Sequence, residues 1–377
     1  MKILIVDNTE LISNGVDFCI ESRAGEFKLE LKNCGNQIAV FGQKLKPAEN
    51  SIHVFGLNEN GIAVKGLWRK KNKLLNYLLL YGYAFLQIRN YDFIYLFYPG
   101  SFRYIAFLCA FLNKPFGIYI RGLDDLDDRV SKSIYNKANL IFTVSDLFTN
   151  KINQFLGTPK AKTIRPMIPY SEADIVENRK YTRKEKYKIL YFGRIAEEKG
   201  MNELVEATLI LSRKRADFTI EIYGDGEYYK QTEKRIAELS LESLVALYGP
   251  EYDIVKIRAI YSEADIFILP TYHEGFPRTL YEAMIFGTPI VTTLVGGIPQ
   301  LMSDKVNCRT IEVKSVDSIV NVLTSMLDDY ESVTSIANNS TNTIKNLLTT
   351  RKKSHALDLH TEIEKLLTKK HINEYNG

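Results

Sequence analysis

The feature that most constrains this chain is a repeating pattern: short, almost unbroken apolar runs, each followed by a longer stretch with helical spacing. KILIV, FIYLFY, FGIYI and LIFT carry it through the first half, and KILYF, FTIEIY and DIFIL through the second. Runs of this kind lack the alternation of a strand with one wet face and suit strands buried on both faces of a parallel sheet. Their alternation with helices predicts an α/β architecture. With 377 residues the chain exceeds one ordinary domain and suits two of roughly 100–200 residues each.

Strands are expected, among other places, at Lys2–Asp7, Ile52–Leu57 and Thr163–Ile168, and in the second half at Lys188–Phe192, Ile266–Pro270 and Thr310–Val313. Pro166 and Pro169 precede the charged, weakly apolar stretch SEADIVENRKYTRKEKYK, which reads as a linker. The expected organisation is a first domain over residues 1–170, a linker over 171–187, a second domain over 188–345 and a carboxy-terminal helix over 346–377.

Composition removes several classes of function. A net charge of only +4, with both signs spread along the chain, lacks the concentrated basic face of a nucleic-acid binder. Cys19, Cys34, Cys109 and Cys308 are scattered without a C-x-x-C pair, so reduced thiols are expected rather than a disulfide framework or zinc site. Met1 runs straight into a strand-like segment without a signal peptide, which points to the cytoplasm. The greasiest stretch, Leu74 to Ile88, is too short to span a bilayer. The basic KGLWRKKNK of Lys65–Lys73 leads into it, so Lys65–Ile88 is either a core helix with a basic start or a peripheral membrane contact.

Two constellations carry chemistry. In YFGRIAEEKG, a strand ends at Gly193, a turn carries Arg194 and Lys199, and a helix begins near Gly200. Turns at the carboxyl edge of a parallel sheet are where ligands bind, and two cations there can hold a diphosphate. In PTYHEGFPRTLYEAM, Glu274 lies in the loop beyond a strand, Pro277 suits a helix start, and Glu282 follows on the helix. Carboxylates so placed accept sugar hydroxyls, near a positive helix end that attracts phosphate. The plain alternatives are solvated charges at Arg194 and Lys199, a capping Glu274 and a surface Glu282. His273 has no paired carboxylate or nucleophile in the sequence and reads as incidental.

Taken together, Gly193-Arg194 with Lys199-Gly200, Gly224-Asp225-Gly226-Glu227, and Glu274 to Glu282 within ADIFILPTYHEGFPRTLYEAMIFGTPIVTTLVGG resemble the family-4 glycosyltransferases of the GT-B fold. The likeness runs from Lys188 to about Leu301 and is weak before residue 140. It implies two Rossmann-like domains facing a central cleft, with the carboxy-terminal helix crossing back to the first. It implies a retaining transferase that moves a sugar from a UDP- or GDP-linked donor to a glycan or lipid-linked glycan, in bacterial surface polysaccharide synthesis. That places the protein in the cytoplasm, at the inner face of the membrane, with no metal and no cofactor beyond the nucleotide sugar.

The same resemblance assigns roles. Arg194 and Lys199 neutralise the donor diphosphate, Glu282 takes the ribose hydroxyls and Glu274 the transferred sugar. Backbone N–H groups of Gly275, Phe276 and the Arg278-Thr279-Leu280 turn line the phosphates. Gly193 and Gly224 belong to the turns beside them, and the turn containing Gly249 borders the base. The first half departs from the family pattern. Where the family has paired glycines after its first strand, this chain offers Gly15 or Gly25, and Gly25 is preferred because a helix is expected to follow it. Arg121 stands at the usual place of a histidine, either contacting the donor or pairing with Asp124 or Asp125. The acidic run Asp124–Asp128 admits a metal site of the D-x-D kind, although a helix cap is the simpler reading. Two rivals remain at this point: an epimerase or phosphorylase of the same build, and a non-catalytic subunit that binds a nucleotide sugar or a partner transferase.

Overall fold

The computed structural model describes residues 1–7, 10–46, 53–122 and 126–375, without the side chains of residues 370–375. The chain divides into two units, Met1–Pro169 with Arg351–Gly377, and Tyr170–Thr350.

In the first unit the strands are β1 (Lys2–Val6), β2 (Leu11–Ser13), β3 (Phe18–Glu21), β4 (Gln37–Leu45), β5 (His53–Gly56), β6 (Ala63–Trp68), β7 (Phe93–Tyr98), β8 (Phe116–Ile120), β9 (Leu140–Thr143) and β10 (Ala161–Thr163). They form one sheet in the order β10-β9-β8-β7-β1-β4-β2-β3-β5, with β6 paired to β4. The centre is parallel, and its strands β1, β7 and β8 are almost wholly buried, as their unbroken apolar runs require. The antiparallel pairs β2–β3 and β3–β5 widen one side. The strand expected at Thr163–Ile168 instead ends at Thr163. Pro166 has no N–H to extend the ladder.

The basic stretch expected to lead directly into a helix is split. Its start belongs to β6, and the helix Lys73–Ile88 begins only after the Asn72 side chain accepts from the Leu75 N–H.

The helix His355–Tyr375 returns to the first unit, where Ala356, Leu359 and Ile363 join the core of Ile3, Phe27, Leu31 and Tyr95. His355 is buried at its start, with Nε2 2.7 Å from the Tyr95 hydroxyl and the rings of Phe27 and Tyr119 packed around it. Burial, with the charges of Arg121 and Lys28 added to it, holds this imidazole well below the usual histidine range. The unfolded chain therefore takes up a proton that the folded chain refuses. Its stabilising contribution is complete above about pH 6.5 and is lost as pH falls below it, by about 1.4 kcal/mol per pH unit. Thermal melts from pH 7.5 down to pH 5 should show a shallower acid slope in His355→Gln than in the wild type. Equal slopes would remove His355 from the acid response.

The second unit has six parallel strands, β11 (Tyr187–Phe192), β12 (Phe218–Tyr223), β13 (Val245–Tyr248), β14 (Ile266–Leu269), β15 (Ile290–Thr292) and β16 (Arg309–Thr310). Their order is β13-β12-β11-β14-β15-β16. The chain thus winds outward from β11 in one direction, returns to β14 beside it, and winds outward in the other. The crevice beyond the carboxyl ends of β11 and β14 is the switch point of such a sheet. Thr310–Val313, expected as a strand, pairs only at Arg309–Thr310.

The stretch read as a linker is packed on the second unit. Val176 N–H donates to the Ile285 carbonyl at 2.8 Å and the Tyr181 hydroxyl to that of Gly287 at 2.6 Å. The Arg179 guanidinium reaches the carbonyls of Tyr261, Ala264 and Phe286. These groups end the helices Ile254–Glu263 and Arg278–Ile285, whose last carbonyls have no partner within the helix. A cation at this place also suits the negative ends of both helix dipoles.

Candidate functional site

Two loops meet at the switch point. After β11 the chain passes Gly193 and Arg194, makes the short turn Glu197–Lys199, and enters the helix Met201–Ser212. After β14 it runs through Glu274 to Pro277 and enters the helix Arg278–Ile285. The loops are joined by the Tyr272 N–H donating to the Glu198 carbonyl at 2.8 Å and by an ion pair between Lys199 Nζ and Glu274 Oε1. The two side chains are only 11% and 20% exposed. A mostly buried ion pair gains little net stability, because desolvation offsets the attraction. Its position at a ligand crevice is therefore a functional signal rather than a structural one.

Arg194 is 55% exposed and pairs with Glu198 and, at 3.1 Å, with Glu227. Glu227 belongs to the turn after β12, so turns from three strands converge here. Exposed pairs of this kind contribute only about 0–1 kcal/mol each and exchange readily for a better anion. The Tyr191 hydroxyl beneath donates to the Arg194 carbonyl at 2.6 Å. Burial, then the nearby charge of Glu274, pushes that phenol far up, so it stays a donor.

Close backbone approach holds these loops in place. Gly296 has φ +59°, and a Cβ there would lie 1.7 Å from the Glu274 carbonyl oxygen. The next N–H, of Gly297, donates to the Gly275 carbonyl at 2.7 Å. Gly224, at φ +149°, would likewise put a Cβ 1.9 Å from the Gly193 carbonyl oxygen. Only glycine fits either place.

Glu282 is not a surface residue. It is fully buried on its helix and accepts from the Tyr261 hydroxyl at 3.0 Å. Tyr261 continues an aromatic row through Phe192 and Tyr223 to Tyr248, the last two rings stacked with centroids 4.5 Å apart. The row borders the turn containing Gly249, which is exposed and has open space where a Cβ would stand. His273 is exposed.

Some sequence expectations need correction. Gly25 does not approach a ligand: it sits inside the helix Ser22–Asn33, and the Phe55 ring fills the space where a side chain would be. Gly15 turns the β2–β3 hairpin. The Leu280 N–H is already engaged with the Pro277 carbonyl at 3.1 Å, and Leu280 is buried, so it lines no phosphate. Gly275, Phe276, Arg278 and Thr279 do lie between Glu274 and Glu282 at the helix entrance. Arg121 belongs to the first unit, where its guanidinium lies 5.1 Å from the centre of the Phe97 ring. Asp124 and Asp125 lie outside the described residues. Of the rest of that acidic run, Asp128 caps the helix Arg129–Lys137 and pairs with Arg103, and Asp127 pairs with Lys151. Among the described residues, no group of three or more His, Cys, Asp or Glu is placed to hold a metal ion.

Sequence reasoning missed Tyr261, Glu198 and the role of Gly296-Gly297. The paired glycines were a visible turn signal. Nothing local links Tyr261 to Glu282.

Residues 174–343, which contain every part of this site, match the family model of glycosyl transferases group 1. The second unit is thus similar to group 1 glycosyl transferases over nearly its whole length. A protein named as a colanic acid biosynthesis glycosyltransferase, WcaL of Escherichia coli, is 29% identical over 45% of this chain and 43% of its own length. The amylovoran biosynthesis glycosyltransferase AmsK of Erwinia amylovora is 36% identical over 32% of this chain and 31% of its own. The chain thus spans less than half the length of these curated relatives. The structure of HepE from Anabaena in complex with UDP-glucose superposes with a TM-score of 0.68, covering 98% of this chain and all of that one at 19% identity. The likeness shows the fold: the two units are the Rossmann-like domains of a GT-B fold.

Proposed function

We propose that the protein is a retaining, metal-independent glycosyltransferase that takes a sugar from a nucleotide diphosphate and adds it to a glycan or lipid-linked glycan in bacterial surface polysaccharide synthesis. The observation that carries this reading is the Lys199–Glu274 pair at the switch point, with Arg194 beside it. In the donor complex Lys199 and Arg194 exchange their carboxylate partners for the diphosphate oxygens, which form stronger charge-assisted bonds. Glu274, released from Lys199, accepts from hydroxyls of the transferred sugar. Glu282, fixed by Tyr261, takes the ribose, and the Tyr223–Tyr248 stack gives the base a flat neighbour. As the glycosidic bond breaks, charge builds on the leaving diphosphate. The two cations stabilise it there without reorganising, and so supply the charge a divalent metal would otherwise bring. The acceptor hydroxyl attacks from the same face, forms the new glycosidic bond with the anomeric configuration retained, and passes its proton to the departing diphosphate oxygen. The names of WcaL and AmsK, and UDP-glucose in HepE, support the polysaccharide and nucleotide-sugar parts of this reading.

The test is a panel of UDP- and GDP-sugars incubated with glycan acceptors, with and without EDTA, followed by proton NMR of the product. The expected product keeps the donor's anomeric configuration and forms equally in EDTA. An inverted product would remove the mechanism. Donor binding without any transfer would favour a non-catalytic subunit.

A further inference from the structure

The helix Lys73–Ile88 buries one face and leaves a second, apolar face open. Asn76, Leu80, Ala84 and Ile88 repeat every fourth residue and are buried in the core of the first unit. On the opposite side Leu74 and Leu78 are 81% and 68% exposed, and Leu75, Leu79 and Leu86 stand open beside them. The neighbouring helix Ile105–Phe111 adds Phe111, 77% exposed, whose ring lies 6.3 Å from that of Phe85. A surface helix ordinarily turns charged residues outward, so a row of open leucines marks a surface made for a partner.

Charge selects the partner. From Asn60 to Tyr91 the chain contains no acidic residue, yet it carries Lys65, Arg69, Lys70, Lys71, Lys73 and Arg89. Arg69, Lys70, Lys71 and Lys73 are exposed at the helix entrance, and the Lys70 N–H donates to the Asn76 side chain at 2.8 Å, which fastens this basic loop to the helix. At the far end the Arg89 guanidinium covers the Phe85 ring at 4.5 Å. Leucines between two cationic ends match a bilayer whose headgroups are anionic and whose interior is apolar. Among the described residues no helix is long and apolar enough to cross a membrane, so this one lies along the surface. We infer that the Leu74–Leu86 face, with Phe111 and the Lys70–Lys73 loop, docks the first unit on an anionic lipid surface. This surface belongs to the first unit and the donor site to the second, so either can fail without the other.

The test is co-sedimentation of the full chain with phosphatidylcholine vesicles containing about 30% phosphatidylglycerol, at about 50 mM and about 500 mM salt. The wild type should bind at low salt, release at high salt, and ignore vesicles of phosphatidylcholine alone. Leu74→Gln/Leu78→Gln/Leu86→Gln should weaken binding about tenfold or more with its melting temperature unchanged, because these side chains are open in the folded protein. Lys70→Gln/Lys71→Gln/Lys73→Gln should abolish the salt dependence together with most of the binding. A wild type that ignores anionic vesicles overturns the inference, as does a leucine variant that binds like the wild type. A dimer that dissolves in the leucine variant, without vesicle binding, would assign the face to a second copy of the chain.

Discussion

Lys199→Ala is expected to lower sugar transfer by about a hundredfold to a thousandfold, the range for losing one preorganised group that stabilises developing charge. The substitution has a second consequence. Glu274 is only 20% exposed, and without its cation its carboxylate is left in a poorly solvated place. Lys199→Ala alone should therefore lower the melting temperature as well as the rate. Lys199→Ala/Glu274→Gln separates the two, because it removes both charges together. Stability should recover towards that of the wild type while transfer stays lost. Recovery of transfer along with stability would make the pair a structural feature of the loop. Arg194→Ala should lower transfer by a similar factor with little change in stability, since Arg194 is exposed and its pairs with Glu198 and Glu227 are worth little.

Gly296→Val is expected to cost about 3 kcal/mol or more, lowering the melting temperature of a unit this size by about 6–12 °C. Two effects add. A β-branched residue at φ +59° is strained in itself, and its Cβ would overlap a backbone oxygen, that of Glu274, which has no rotamer to turn away. Relief requires the Glu274 loop to move, so any folded fraction should also lose transfer. Gly249→Ala is the control. It has ordinary backbone geometry and nothing within 4 Å of the added carbon, so it should stay within about 0.5 kcal/mol of the wild type. Differential scanning calorimetry of both variants, read beside the transfer rate, decides the matter. Equal stability of the two would contradict the close packing of the Gly296 turn on the Glu274 loop.

What could be read from the sequence was what is local. The strand expected at Lys188–Phe192 begins one residue earlier, at Tyr187, and Pro277 caps its helix as a residue lacking an N–H should. The positions of Arg194, Lys199 and Glu274 at the ends of β11 and β14 follow from those strands alone. The partnerships that make the site did not. Tyr261 reaches Glu282 from another helix, and Arg179 reaches carbonyls more than eighty residues away. The polar composition around Arg179 therefore reads as a linker, where the chain straps two helix ends. Gly25 is misplaced for the same reason, because it lies inside a helix and the Phe55 ring that occupies its free space comes from a strand distant in sequence. In sequence the basic stretch before Leu74 reads as one piece with the helix. Its first half is instead a strand, paired to β4 through Gly42 and Gly66. Long-range backbone pairing of this kind leaves almost no trace in a run of lysines.

The most direct test of the central claim, that Arg194 and Lys199 hold a donor diphosphate, is calorimetric titration of UDP and GDP into the wild type, Arg194→Ala and Lys199→Ala. One nucleotide should bind the wild type and lose about tenfold or more in affinity in each variant, as expected for removing one charge-assisted contact. Failure of both nucleotides to bind, or equal binding by all three proteins, would contradict the diphosphate site.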